Sequence, residues 1–251
     1  MGMSLKQAAA HREMEHEHTP EAIRQRFAHG PRRSYLRDWV YGGIDGLVTI
    51  FAIVSGVVGA RLSPRIIVIL GSASLIADGL AMAAGDYLAT RSEEEEFHHV
   101  EAMEQRHIDG YPEGEREEVR EILRRRGVPA GLLDQVVTAI TADRKLWVRM
   151  MLRDEYGLPE AVRSPWQAAL MTLSAFLVCG LIPLIPFVGD LKNAFSIAGI
   201  VTGLMFILIG ALKSRWSVRP WWYSGLTTLA IGGGAAAVAY VIGAWLRTLT
   251  G

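Results

Sequence analysis

The chain has 251 residues with 26 basic and 26 acidic side chains, a formal net charge of zero, which argues against a nucleic-acid binder because that needs a basic face. Half of its residues are hydrophobic, and the charges are gathered in a few places rather than spread evenly. A single cysteine, Cys179, lies in an apolar run and has no partner for an intramolecular disulfide, so it reads as a packing residue.

Residues 1–38 form a polar segment in which His11, His16 and His18 alternate with Glu13, Glu15 and Glu17. Two readings stand for that tract: a frayed tail, or a loose collector of metal ions. Its first 30 residues hold no apolar stretch of signal-peptide type, so no cleaved leader is expected. The stretch from Glu21 to Phe27 suits a short helix at a membrane surface, with Arg32, Arg33 and Arg37 among lipid headgroups.

From Trp39 to Ala60 there are 22 residues with one charge, Asp45. At about 1.5 Å per residue, a helix of that length crosses a hydrocarbon layer of roughly 30 Å. A second run, Ile66 to Thr90, contains Asp78 and Asp86 as its only charges. Three uncharged runs follow, Trp166–Gly189, Ala194–Leu212 and Trp221–Leu246, and Trp39, Trp166, Trp221, Trp222 and Trp245 sit at the ends of the runs, where indoles favour the interface. The expectation is an all-α, polytopic membrane protein: helices one and two within 39–90, a helical insert over 91–164, and helices three to five within 165–251. With five spans, 22 of the 26 basic residues fall on the side that carries the amino terminus and the insert, which predicts that both are cytosolic.

The insert from Arg91 to Arg163 holds 17 of the 26 acidic residues together with His98, His99 and His107. Its punctuation predicts three helices. The first continues out of span two and stops near Gly110. The second opens on Pro112 and runs to Gly127. The third follows Pro129 and Gly131, breaks near Asp143 and ends at Gly157 and Pro159. Ser164-Pro165 reads as the cap and first residue of span three.

An ionisable side chain inside a bilayer costs several kcal/mol and is a functional candidate by default. Asp45 ends the run Gly42-Gly43-Ile44-Asp45, and Gly42 with Gly46 makes a small-xxx-small helix contact. Asp78, Met82 and Asp86 are spaced by four and four, so they share one helix face. Carboxylates suit any divalent cation, and a thioether favours iron-like or copper-like ions over magnesium or calcium. Asp86 also fits a plain interfacial charge. In the insert, Glu104 and His107 share a face, as do Glu115 and Glu118, and Met151 and Glu155 are one turn apart. Spacing alone does not single these out: Glu95–His98 and Glu96–His99 repeat the same Glu-x-x-His pattern, and a solvated acidic face fits as well.

From about Ser34 onward the chain resembles the vacuolar iron transporter family, which includes nodulin-21-like and bacterial members. The residues that carry the resemblance are Asp45-Gly46-Leu47 with Phe51-Ala52, Ala81-Met82 with Gly85-Asp86-Tyr87-Leu88, Ser92-Glu93-Glu94, Pro112-Glu113, Glu118-Val119-Arg120-Glu121-Ile122-Leu123, and Met151 with Glu155-Tyr156-Gly157-Leu158. The resemblance implies a homodimer in a lipid bilayer that moves Fe2+, and in some members Mn2+, out of the cytosol in exchange for protons. It also implies an ion path at the subunit interface lined by the first spans. It assigns Asp45 and Met82 to that path, and Glu104, Glu115, Glu118, Met151 and Glu155 to a cytosolic metal site, with Zn2+ as a further ion the site could take. Two positions depart from the family pattern. His107 stands where members have a glutamate, and Ser74 stands where plant members have one, with Asp78 one turn later to replace it. A bacterial inner membrane fits better than a vacuolar membrane. The competing readings are a membrane-anchored di-iron carboxylate oxidase or peroxidase, which needs four helices carrying two Glu-x-x-His motifs, and a metal-sensing or storage protein anchored by its spans.

Overall fold

The computed structural model describes residues 19–28, 34–159 and 162–250, and among them every regular element is helical. The His/Glu tract with His11, His16 and His18, together with Arg32 and Arg33, lies outside the described residues. Helix α1 (Pro20–Ala28) matches the expected short helix, with Thr19 Oγ1 accepting from the Ala22 amide at 3.2 Å. It belongs to a unit of its own; the rest of this description concerns Tyr35–Gly251.

Among the described residues five helices are long and apolar enough to cross a membrane. They are α2 (Leu36–Gly59), α3 (Pro64–Gly110), the stretch opened by α7 (Pro165–Leu181), α9 (Ala194–Lys213) and α10 (Trp221–Thr250). Proline at the first turn starts α3 and α7, where its missing amide costs nothing. Ser164 precedes α7 in extended geometry as expected, although its hydroxyl makes no capping bond. The third span ends differently from a plain helix. Pro183 and Pro186 remove two amide donors, and the chain tightens into a 3-10 turn (Ile182–Leu184) before the short α8 (Ile185–Val188).

Helix α2 is the centre of the bundle, packed against α3, α7, α9 and α10. Its glycines make this possible. A Cβ on Gly42 would lie 2.5 Å from the Thr172 carbonyl oxygen, and one on Gly46 would lie 2.5 Å from that of Phe176. The small-xxx-small contact read from the sequence is thus an α2–α7 contact. Around it, Ile50, Val54, Phe176 and Leu184 are fully buried. By contrast Ile69, Leu70, Ile76 and Leu80 of α3 are exposed in the single chain.

The 47 residues of α3 run unbroken from the second span into the insert, about 70 Å at the α-helical rise. Then come α4 (Pro112–Arg125), α5 (Ala130–Thr141) and α6 (Arg144–Asp154). The break foreseen near Asp143 is a full helix boundary: the Asp143 carboxylate accepts from the Lys145 amide at 2.9 Å and the Leu146 amide at 3.2 Å. The third stretch is therefore two helices, and the described residues of the insert form four helical segments. Gly127 and Gly157 take positive φ after α4 and α6, where a side chain would be strained. The insert has its own core of Ile108, Val119, Leu123, Val137, Trp147 and Met151.

Candidate metal centre

The insert brings the far end of α3, the first turns of α4 and the end of α6 together around two buried carboxylates. Glu104 is completely buried and Glu115 is 5% exposed. The Tyr156 hydroxyl donates to Glu104 Oε1 at 2.9 Å, while Oε2 of both glutamates is buried without a partner. The His107 Nδ1 atom lies 3.8 Å from Glu104 Oε1 and 3.5 Å from Glu115 Oε1. A buried acidic oxygen without a donor is costly unless it gains a proton or a cation.

The electrostatics express that cost. Burial, reinforced by the charges of Glu104 and Glu118, pushes the Glu115 carboxyl up to about 7. Burial and the same two neighbours also raise Glu155 above the usual carboxylate range. The Tyr156 phenol is pushed up by burial and by its bond to Glu104, so it stays a donor at physiological pH. Glu115 and Glu155 thus hold their protons more tightly than ordinary carboxyls. A divalent cation among them would displace those protons.

Glu118 and Glu155 are exposed and line one cleft with Ile122, Arg126 and Asp154. Met151, one turn before Glu155, is fully buried in the insert core beside this edge. Among the described residues no three His, Cys, Asp or Glu side chains already close around one point. The two exposed glutamates thus stand apart from the buried pair. The other Glu-x-x-His pairs fall elsewhere: His98 meets Glu101 at 3.3 Å on the exposed face of α3. Tyr156 was visible in the sequence only as part of a motif; its bond to Glu104 spans 52 residues, so no local pattern announces it.

In the membrane-length helices, Asp45 is half-buried on α2 and lies within electrostatic reach of Asp78 on α3. Asp78 is exposed in the single chain and accepts from the Ser74 hydroxyl one turn earlier. The serine and the aspartate that depart from the family pattern are therefore one hydrogen-bonded unit. Met82 is half-buried against the bundle core, and Asp86 accepts from Thr172 Oγ1 of α7 at 2.6 Å. The threonine that donates to Asp86 is itself fully buried.

The VIT family matches residues 36–244. The chain is 32% identical over 209 residues to vacuolar iron transporter 2 of Oryza sativa subsp. japonica, covering 82% of this chain and 85% of that protein. It is 34% identical over 208 residues to a vacuolar iron transporter of Centaurea cyanus, with the same coverage of 82% and 85%. With vacuolar iron transporter 1 of the same rice, identity is 31% over 237 residues, 93% of this chain and 90% of the relative.

Proposed function

The chain belongs to the VIT family, and from that premise we propose that it is a transporter of divalent metal, moving Fe2+, with Mn2+ as a second substrate, out of the cytosol in exchange for protons. The observation that carries this reading is the pairing of two acidic constellations, one in the insert and one in the spans, on the single continuous helix α3. Glu104 and His107 stand at its far end, and Asp78, Met82 and Asp86 stand within its apolar half.

In this reading the insert faces the cytosol and captures the ion. Glu104 and Glu115 supply buried oxygens, Glu118 and Glu155 close over the ion, and His107 ligates when neutral. Met151 adds a soft donor by a rotamer change. Because Glu115 holds a proton up to about 7, metal capture releases protons at neutral pH. The ion then meets Asp86, Met82, Asp78 and Asp45. The same carboxylates carry protons the other way, with Ser74 steadying Asp78.

A homodimer fits the exposure of Asp78 among Ile69, Ile76 and Leu80. A carboxylate facing lipid costs several kcal/mol, whereas a second subunit covering this face would turn it into a shared path. An oxidase is disfavoured because the relatives are named iron transporters, and α6 of the insert contributes no histidine.

The test is metal flux in proteoliposomes with an imposed pH gradient. Asp45→Ala is expected to abolish uptake of Fe2+ under anaerobic conditions and of Mn2+ while leaving a folded protein. Undiminished flux in that variant would remove Asp45 from the path.

A further inference from the structure

Where the insert returns to the third span, Arg163 donates from Nη1 to Asp38 Oδ1 of α2 at 2.9 Å, and its Nη2 lies 3.7 Å from Glu93 Oε2 of α3. Asp86 is near enough to act electrostatically on both Arg163 and Asp38, and it is itself held by Thr172 of α7. The next residue, Ser164, donates its amide to the Tyr35 hydroxyl at 3.0 Å. One arginine thus ties the ends of three spans together at the level where the insert begins.

Its partners continue the acidic ladders described above. Asp38 and Asp45 are seven residues apart on α2, and Asp86 and Glu93 are seven apart on α3, so each pair shares a helix face two turns long. Arg163 closes the insert-side end of both ladders with a positive charge. Asp38 Oδ2 is buried without a partner, so one oxygen stands idle beside the guanidinium. The guanidinium is reachable from solvent: the Arg163 side chain is 33% exposed and that of Glu93 59%, against 11% for Asp38, and its more exposed contact, to Glu93, is worth little by itself.

We propose that Arg163 is a positioning residue for transport, a tethered cation that holds the insert-side mouth of the ion path closed by bridging Asp38 and Glu93 until an arriving divalent cation displaces it. This rests on the transport reading above. A divalent ion outcompetes the guanidinium for the same carboxylates because its charge is double and its radius small. Displacement frees Arg163 from α2 and α3, so capture and opening become one event.

The experiment uses the full chain in proteoliposomes, with Mn2+ as the air-stable probe. Asp38→Cys and Arg163→Cys are combined and bridged by a bis-methanethiosulfonate spacer of arginine length; the one native cysteine, Cys179, is buried and does not compete. Bridging is expected to cut uptake about tenfold or more, and dithiothreitol to restore it, because a fixed bridge cannot open. In parallel, Arg163→Gln is expected to lower the KM for Mn2+ by about threefold, with Arg163→Lys close to the parent, since a competing cation has been removed. Equal uptake with and without the bridge, or a KM that is unchanged or higher in Arg163→Gln, would overturn the latch while leaving transport intact. A parent protein that moves no metal would instead overturn the transport reading.

Discussion

Glu115→Gln removes the charge from the most perturbed carboxyl of the insert while keeping its shape. In the folded chain Glu115 holds its proton up to about 7, against 4.5 for the ordinary carboxyl. The folded state therefore binds this proton more tightly than the unfolded state. The contribution to stability is fully present below pH 4.5 and is lost as pH rises through about 7. At about 1.36 kcal/mol per unit the loss would reach roughly 3 kcal/mol, and electrostatic coupling of Glu115 to its neighbours brings the expected value to about 1–3 kcal/mol. Thermal unfolding of the full chain in detergent, with hydrogen exchange read at the insert core around Val119 and Trp147, measures it between pH 5 and 8. Without metal the parent insert is expected to loosen as pH rises, and Glu115→Gln to flatten that slope. Adding Mn2+ at pH 7.5 is expected to tighten the parent insert and to have a much smaller effect on the variant. An unchanged pH slope in Glu115→Gln would show that this carboxyl does not carry the strain assigned to it.

Other outcomes follow from the same geometry. Tyr156→Phe leaves Glu104 Oε1 buried without its donor, so the insert should lose about 1–3 kcal/mol in a denaturant or thermal titration without metal. Gly46→Ala would place a methyl 2.5 Å from the Phe176 carbonyl oxygen; separation of α2 from α7 should cost about 1–3 kcal/mol, read as a lower unfolding temperature, where no change would contradict the close packing. Asp78→Asn keeps a partner for Ser74 but cannot carry a proton. Metal uptake in that variant should lose its dependence on the imposed pH gradient, and a retained dependence would place proton coupling elsewhere.

Much of this molecule is dictated by its sequence because a bilayer is an unforgiving solvent. Long apolar runs can only be helices within it, so the five spans were legible from composition, and Pro112, Pro165, Gly127 and Gly157 fixed several boundaries through backbone chemistry that acts locally. The unbroken passage of α3 from span to insert was legible for the same reason, since nothing between Thr90 and Ile108 interrupts a helix. The candidate site was legible only as a set of equivalent possibilities. Glu104–His107 and Glu95–His98 have identical spacing, yet one glutamate is fully buried and the other exposed. What separates them is which face of α3 meets α4 and α6, a choice made by the packing of Ile108, Val119 and Met151. The Tyr156–Glu104 bond and the Arg163–Asp38 bridge join residues 52 and 125 positions apart. Spacing along a chain reports one helix face at a time, and only packing decides which faces share a dielectric and which carboxyls lose their water.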